Sequence, residues 1–366
     1  MVTVDEPRGE SREPGSGKAS SGFPMATGEP VAVVKTQEGT RASARRVWGI
    51  ALLAVLLLAA LAFPWMFQLP YHRDLAIKVF LYATLAQAWN ILAGYCGQIS
   101  LGHAVFFGTG AYASTVLQTA WGMNPWVGLL AGVILAVALS QVIGYPCFRL
   151  RGHYFAIATI AIGEIVQTLA INWDFIGGAR GLTLPFQKDS LSAFQFHTSK
   201  YPYYYIVLGL LTLCLLVSWR IERTRLGYYL RAIREDPEAA ASVGIPVARY
   251  KLIAMAVSAA FVAAGGTFYA QYVLYLDPDS VLPLSLSILI CVLGVVGGVG
   301  TMWGPVVGAA LLIPLSEFTR IQFGGTGRAA DLVIYGALLT GVAVFQPAGL
   351  VGIFARWRGP DGASQG

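Results

Sequence analysis

The sequence predicts an all-α polytopic membrane protein of about ten transmembrane helices, some of them interrupted by glycine. Three observations lead there. Apolar residues make up 56% of the chain and charged residues only 12%, against about a quarter charged in ordinary soluble domains. Apolar runs of about 20 residues, the length that crosses hydrocarbon, recur between residues 47 and 346. One long charged passage, Arg220 to Lys251, separates two hydrophobic halves.

Residues 1–45 are rich in Gly, Ser, Pro, Glu and Lys and lack apolar periodicity, so a disordered cytoplasmic tail is expected there. The stretch PGSGKAS imitates a phosphate-binding loop without completing it, because Arg12 holds the first glycine position and Ala19 follows Lys18. No ATPase site is therefore expected in this chain. A cleavable secretory signal is not expected either, since no short apolar core begins near Met1.

The membrane part, residues 46–350, divides into candidate spans at Val47 to Leu69, Leu75 to Ala93, Gly102 to Ala120, Pro125 to Phe148 and His153 to Asn172. After the loop 173–201 come Pro202 to Trp219, Leu252 to Tyr272, Pro283 to Val299, Trp303 to Ile321 and Asp331 to Gln346. Residues 351–366 form a second short tail. Lys and Arg in the flanks orient such a chain. Arg41, Arg45, Arg46, Arg149, Arg151, the basic residues from Arg220 to Lys251, Arg356 and Arg358 outnumber Arg73, Arg180, Lys188, Lys200, Arg320 and Arg328 on the opposite flanks. Both termini and the loop 220–251 are then cytoplasmic, and the loop 173–201 is external.

The net charge of +6 is carried mostly in these flanks, which explains it without a nucleic-acid partner. Cys96, Cys147, Cys214 and Cys291 sit in or beside apolar runs without CxxC spacing, as packing residues do. No metal site is expected.

Within the charged passage, Tyr228 to Arg234 suits a short helix. Asp236 and Pro237 suit an N-cap and first position for a second helix through Glu238, Ala239, Ala240 and Ala241, with Gly244 at its end and Pro246 beyond. The product is an aqueous helix-turn-helix knob. Read from charge alone, it could be a solvated connector.

Two glycine clusters mark the membrane part. Gly94, Gly97 and Gly102 interrupt a run that also carries Asn90, Gln98, Ser100 and His103, and Gly297, Gly298, Gly300 and Gly304 interrupt a second. Paired interruptions point to a transport path, although glycines spaced by four also serve simple helix approach. His103 has no metal-binding partner spacing and reads first as a hydrogen-bonded packing histidine, with a substrate contact as the other reading. Glu164, in mid-span, shares a helical face with Gln167; a buried structural or gating carboxylate is expected, with a path role open.

Several blocks carry a resemblance. LYATLAQAWNILAGYCGQISLGHAVFFGTGAYAS from Leu81 to Ser114, RLRGHYFAIATIAIGEI from Arg149 to Ile165, GARGLTLPF from Gly178 to Phe186 and GGVGTMWGPVVGAA from Gly297 to Ala310 resemble the branched-chain amino-acid permeases of ABC importers, in their LivM-type subunit. Glu238-Ala239-Ala240, three residues, then Gly244 resembles the EAA-xxx-G coupling loop of such permeases, lacking its downstream Ile-x-Leu-Pro. The resemblance implies a subunit of a bacterial inner-membrane importer that works by alternating access. It implies a LivH-type permease as heterodimer partner, two ATPase subunits that use ATP, and a periplasmic or surface-tethered binding protein, with membrane lipid around the helices. It implies coupling residues at Arg234, Glu238, Ala239, Ala240 and Gly244, no cofactor bound by this chain, and no enzymatic chemistry. Urea and short-chain amide importers use similar permeases and remain an alternative. An ion-coupled secondary transporter is the rival from another class, and it would need intramembrane charges of which Glu164 is the clear acidic example.

Overall fold

Proline, glycine and asparagine at the ends of the apolar runs decide where helices begin and stop in the computed structural model. It describes residues 69–323 except 151, 188, 197 and 198, together with positions 61, 65, 336, 337 and 340. Helix α1 (Pro70–Cys96) opens on proline, whose missing N–H would have no partner in a first turn. It closes at Gly97, whose φ of 72° lets Gly97 and Gln98 donate back to the carbonyls of Ala93 and Leu92. Helix α2 (His103–Trp121) closes in the same way at Gly122. Asn124 caps α3 (Pro125–Cys147), its side chain accepting the Trp126 N–H at 2.9 Å.

The chain continues through α4 (His153–Ile171), α5 (Tyr201–Glu222), α6 (Arg225–Glu235), α7 (Pro237–Ser242) and α8 (Val247–Val273). Then follow the short α9 (Pro278–Val281), α10 (Leu284–Gly297) and α11 (Gly304–Phe323). Seven stretches among the described residues are long and apolar enough to cross a membrane: α1, α3, α4, α5, α8, α9 with α10, and α11 to Ile321. The expected third span is the helix α2, whose His, Gly, Thr and Gln content leaves it outside that set. The expected tails 1–45 and 351–366 lie outside the described residues, as do most of the first span and most of the last span, 331–346.

Position in the bundle explains the polarity of α2. Its neighbours are α3 and α8, and its polar His103, Ser114, Thr115 and Gln118 are buried, so protein takes the place that lipid takes around other helices. Gly110 and Gly266 let α2 and α8 touch backbone to backbone, since a Cβ at either would overlap a carbonyl of the other helix. Helices α1 and α8 are central, with 72% and 67% of their apolar windows buried; α4 is peripheral, with 17%. The large side chains Trp89, Phe106, Phe155 and Phe268 fill the core. Exposed Leu130, Ile134 and Val142 on α3 form an apolar outer surface suited to lipid.

At the end of the bundle away from α6 and α7, strand β1 (Leu182–Thr183) pairs antiparallel with β2 (Tyr275–Leu276), Leu182 opposite Leu276. The loop after α4 and the segment before α9 therefore meet. Lys200 and Tyr272 both reach Asp74, at 2.7 and 2.6 Å, and tie the starts of α1 and α5 to the end of α8.

Candidate functional site

Glycine breaks the helical run twice, and the second break lies against the end of α1 that leads into the first. The first, residues 97–102, joins α1 to α2; the second, residues 298–303, joins α10 to α11. Gly298 and Gly300 hold φ of 127° and 78°, where a side chain would be strained. Asn90 ties α1 to the second break: its Nδ2 donates to the Thr301 carbonyl at 2.9 Å, and its Oδ1 accepts the Gly300 N–H at 2.8 Å. The Thr301 hydroxyl closes the turn by donating to the Gly298 carbonyl at 2.8 Å and accepting the Gly304 N–H at 3.0 Å.

This placement corrects the expected list of interruptions. Gly94 and Gly297 lie inside α1 and α10, and Gly304 opens α11. Their function is close approach. A Cβ at Gly94 would overlap the Asn90 amide and stand 2.6 Å from the Gly300 nitrogen, and one at Gly297 would overlap the Gly304 carbonyl. Gly97 and Gly102 do sit at the first break.

Side chains of α1, α2 and α4 satisfy the first break, and those of α8 and α10 pair with His103 and the start of α2. Trp89 Nε1 of α1 donates to the Ser100 carbonyl at 2.8 Å, and Thr159 Oγ1 of α4 accepts the Leu101 N–H at 3.0 Å. His103 is fully buried, with Nδ1 3.1 Å from Ser100 Oγ and Nε2 2.9 Å from Ser258 Oγ of α8; Ser287 Oγ of α10 accepts the Ala104 N–H at 2.9 Å. Such pairing is what non-helical backbone inside a membrane protein requires. Both ring nitrogens of His103 are thus taken up by serine hydroxyls. A small cleft beside it is lined by Ser100, Gly102, Phe106, Ile143, Thr159 and Met255, among others. Gln98 is half-buried at the same break.

Helix α4 departs from expectation. Glu164 is exposed, not buried, because α4 packs through only a narrow strip that includes Phe155, Thr159 and Ala170. Gln167, half-buried, donates to Asp279 Oδ1 at 3.0 Å. The polar candidates therefore separate: Asn90, Ser100 and His103 lie in the interior, while α4 carries the exposed Glu164 and the half-buried Gln167.

The sequence reading missed a charged pair. Lys78 of α1 stands 2.6 Å from Glu317 of α11, which also pairs with Arg320 at 2.8 Å. Glu164 is therefore not the clear mid-span acid by itself. The available signal was a cation and an anion in two apolar runs, but nothing local says that those runs touch. Among the described residues, no group of three or more His, Cys, Asp or Glu side chains could hold a metal ion.

The knob forms as the turn chemistry predicts. Asp236 accepts the N–H groups of Glu238 and Ala239 at 2.8 and 3.1 Å, and Gly244, at φ 87°, ends α7 by donating to the Ala241 carbonyl at 3.0 Å. Leu230 and Ile233 of α6 and Ala240 of α7 are buried and seat the knob on the bundle. Glu238, Ala239, Val243 and Gly244 are exposed, Val243 to 76%. Arg234 points the other way, its Nη1 donating to the Gly94 carbonyl at 2.8 Å.

Residues 72–343 match the family described as branched-chain amino acid transport system / permease component. The chain is 31% identical over 323 residues to the high-affinity branched-chain amino acid transport system permease protein LivM of Salmonella typhimurium, covering 82% of this chain and 74% of that protein. It is 30% identical over 322 residues to the protein of that name in Escherichia coli, with the same two coverages. A probable branched-chain amino acid transport permease protein LivM of Methanocaldococcus jannaschii is 24% identical over 317 residues, covering 78% of this chain and 91% of that protein.

Proposed function

The chain belongs to the family of branched-chain amino acid transport permease components, and on that premise we propose that it forms half of the translocation path of an ATP-driven importer of branched-chain, hydrophobic amino acids. The observation that carries the reading is the family match across nearly the whole described bundle. The chain performs no covalent chemistry. A LivH-type permease completes the path, two ATPase subunits hydrolyse ATP against the knob, and a binding protein delivers the substrate from the far side.

Two features support the arrangement. The exposed side of α7, with Glu238, Ala239, Val243 and Gly244, is small, partly apolar and held on a rigid base, as a surface that fits a groove should be. Helix α4 presents Glu164 among exposed Ile157, Ile165 and Leu169, where hydrocarbon would be a costly neighbour for a carboxylate. A second permease and the aqueous path between the two subunits meet that demand. With the knob at the cytoplasmic side, the strand pair β1–β2 and the loop 173–201 face the binding protein.

Copurification of the tagged full chain from its native membrane tests the proposal. Recovery of two ATPases and a second permease is expected, and the accompanying binding protein should retain leucine, isoleucine or valine. Retention of urea or short amides instead would replace the substrate class. If the chain comes out alone while a control importer keeps its partners, the importer reading is wrong.

A further inference from the structure

The knob and the glycine breaks are joined by one side chain. Arg234 leaves α6 beside Gly97, where an added Cβ would stand 3.1 Å from the Arg234 Cγ and 3.3 Å from its Cα. Its guanidinium then passes Gly300, whose added Cβ would come within 2.5 Å of Nη1, and ends on the Gly94 carbonyl at 2.8 Å. Gly97 of the first break, Gly300 of the second and Gly94 near the end of α1 thus leave room for the arginine, which is itself exposed.

The acceptor is well matched to a cation. In a continuing helix the Gly94 carbonyl would receive the Gln98 N–H, but that N–H turns back to Leu92 at the helix end. Gly94 therefore offers one of the unpaired carbonyls at the negative end of α1, where a guanidinium is favoured. Arg234 lies two residues before Asp236, the cap of α7, and its own helix is seated through buried Leu230 and Ile233. A displacement of the knob must move the arginine with it.

We propose that Arg234 is the positioning residue that couples the knob to the helix breaks, a role that deepens the importer reading and rests on it for its consequence. While α6 is seated, the guanidinium holds the end of α1 against the 298–303 turn. When the ATPase subunits shift the knob, the hydrogen bond to Gly94 breaks, and the two breaks separate on the side facing them. The contact made by this arginine is with the bundle itself, so removing it should spare ATPase docking.

The test uses the full importer in proteoliposomes and, separately, the full chain in lipid nanodiscs. R234A should keep ATP hydrolysis while uptake per ATP falls about tenfold or more, the scale that loss of one charge-assisted hydrogen bond supports. In nanodiscs, hydrogen exchange at 94–102 and 298–303 should quicken and that of α3 should not change. R234K, which retains a cation, should recover part of both properties and guards against a folding defect in R234A. G300A, which crowds the guanidinium from the other side, should reproduce the uncoupling. Wild-type uptake per ATP and unchanged exchange in R234A would overturn the proposal. If the wild-type chain shows no ATP-driven uptake, it is the importer reading that fails; the exchange comparison still decides whether Arg234 holds the two breaks together.

Discussion

Asn90 and Gly300 are joined across the bundle: the Asn90 Oδ1 accepts the Gly300 N–H at 2.8 Å while its Nδ2 donates to the next carbonyl, that of Thr301, at 2.9 Å. A carboxamide offers one donor and one acceptor side by side, which matches the N–H and C=O of consecutive residues in a turn. Asn90 itself is fully buried, so each bond stands in for water that cannot reach it.

Asn90→Ala should therefore leave two main-chain groups with lost partners and lower stability by about 2–4 kcal/mol. Asn90→Asp keeps the acceptor for Gly300 but sets an oxygen against the Thr301 carbonyl, so it should not restore the wild-type value. Thermal unfolding of the purified chain in detergent checks both. An unaltered midpoint in Asn90→Ala would remove Asn90 as a structural tie.

Lys78 and Glu317 lie on different helices, and the Glu317 side chain is only 14% exposed. Lys78→Met should leave Glu317 with Arg320 as its partner and destabilise the contact between α1 and α11. A double-mutant cycle with Glu317→Gln should return a coupling on the order of 1–2 kcal/mol, above the range for exposed pairs. Additive effects of the two changes would mean that the pair contributes nothing.

Gly297 and Gly209 should respond oppositely to alanine. At Gly297 a methyl group overlaps the Gly304 carbonyl, so the α10–α11 joint must open and the yield of folded protein should fall sharply. At Gly209, in the interior of α5, nothing lies within 4 Å, and Gly209→Ala should stabilise by roughly 0.5–1 kcal/mol through helix propensity. Size-exclusion yield and thermal midpoints of the two variants distinguish close approach from mere flexibility.

Glu164→Leu should fold as well as the wild type, within about 0.5 kcal/mol, because the side chain is exposed on α4. Uptake should nevertheless fall if that face lines the path, and Glu164→Gln should separate the effect of charge from that of shape. Unchanged uptake and pH profile in both variants would exclude a transport role for this carboxylate.

Gly244→Pro cannot hold the observed φ of 87° and removes the N–H given to Ala241, so α7 should lose its end. Glu238→Lys reverses the charge of an exposed side chain beside the cap. Both variants should insert normally and lose ATP-dependent uptake, as membrane fractionation and transport assays can show. Normal uptake in both would remove the coupling assignment for α7.

Much of the helical order was legible because its signals are local. Apolar runs of spanning length, Pro125 at a start, Gly97 at a break and the Asp236-Pro237 cap act through neighbours in the chain. So did the family blocks, which are contiguous stretches. Glycine was ambiguous in the same sequence: Gly97 and Gly298 sit at breaks, while Gly94 and Gly297 sit in helices beside them. Missing side chains permit both uses, and nothing within a few residues tells which one applies.

The sequence by itself determined that this chain is a helical membrane protein, where most of its helices turn, and which permease family it belongs to, because hydropathy, caps and motifs are properties of short stretches. Tertiary structure alone decided which polar groups face each other. It put Asn90 on Gly300, Lys78 on Glu317 and Arg234 on Gly94, and turned Glu164 outward. A buried or unsatisfied group is stabilised by whichever partner the packing of distant helices brings within about 3 Å, and that choice has no local signature.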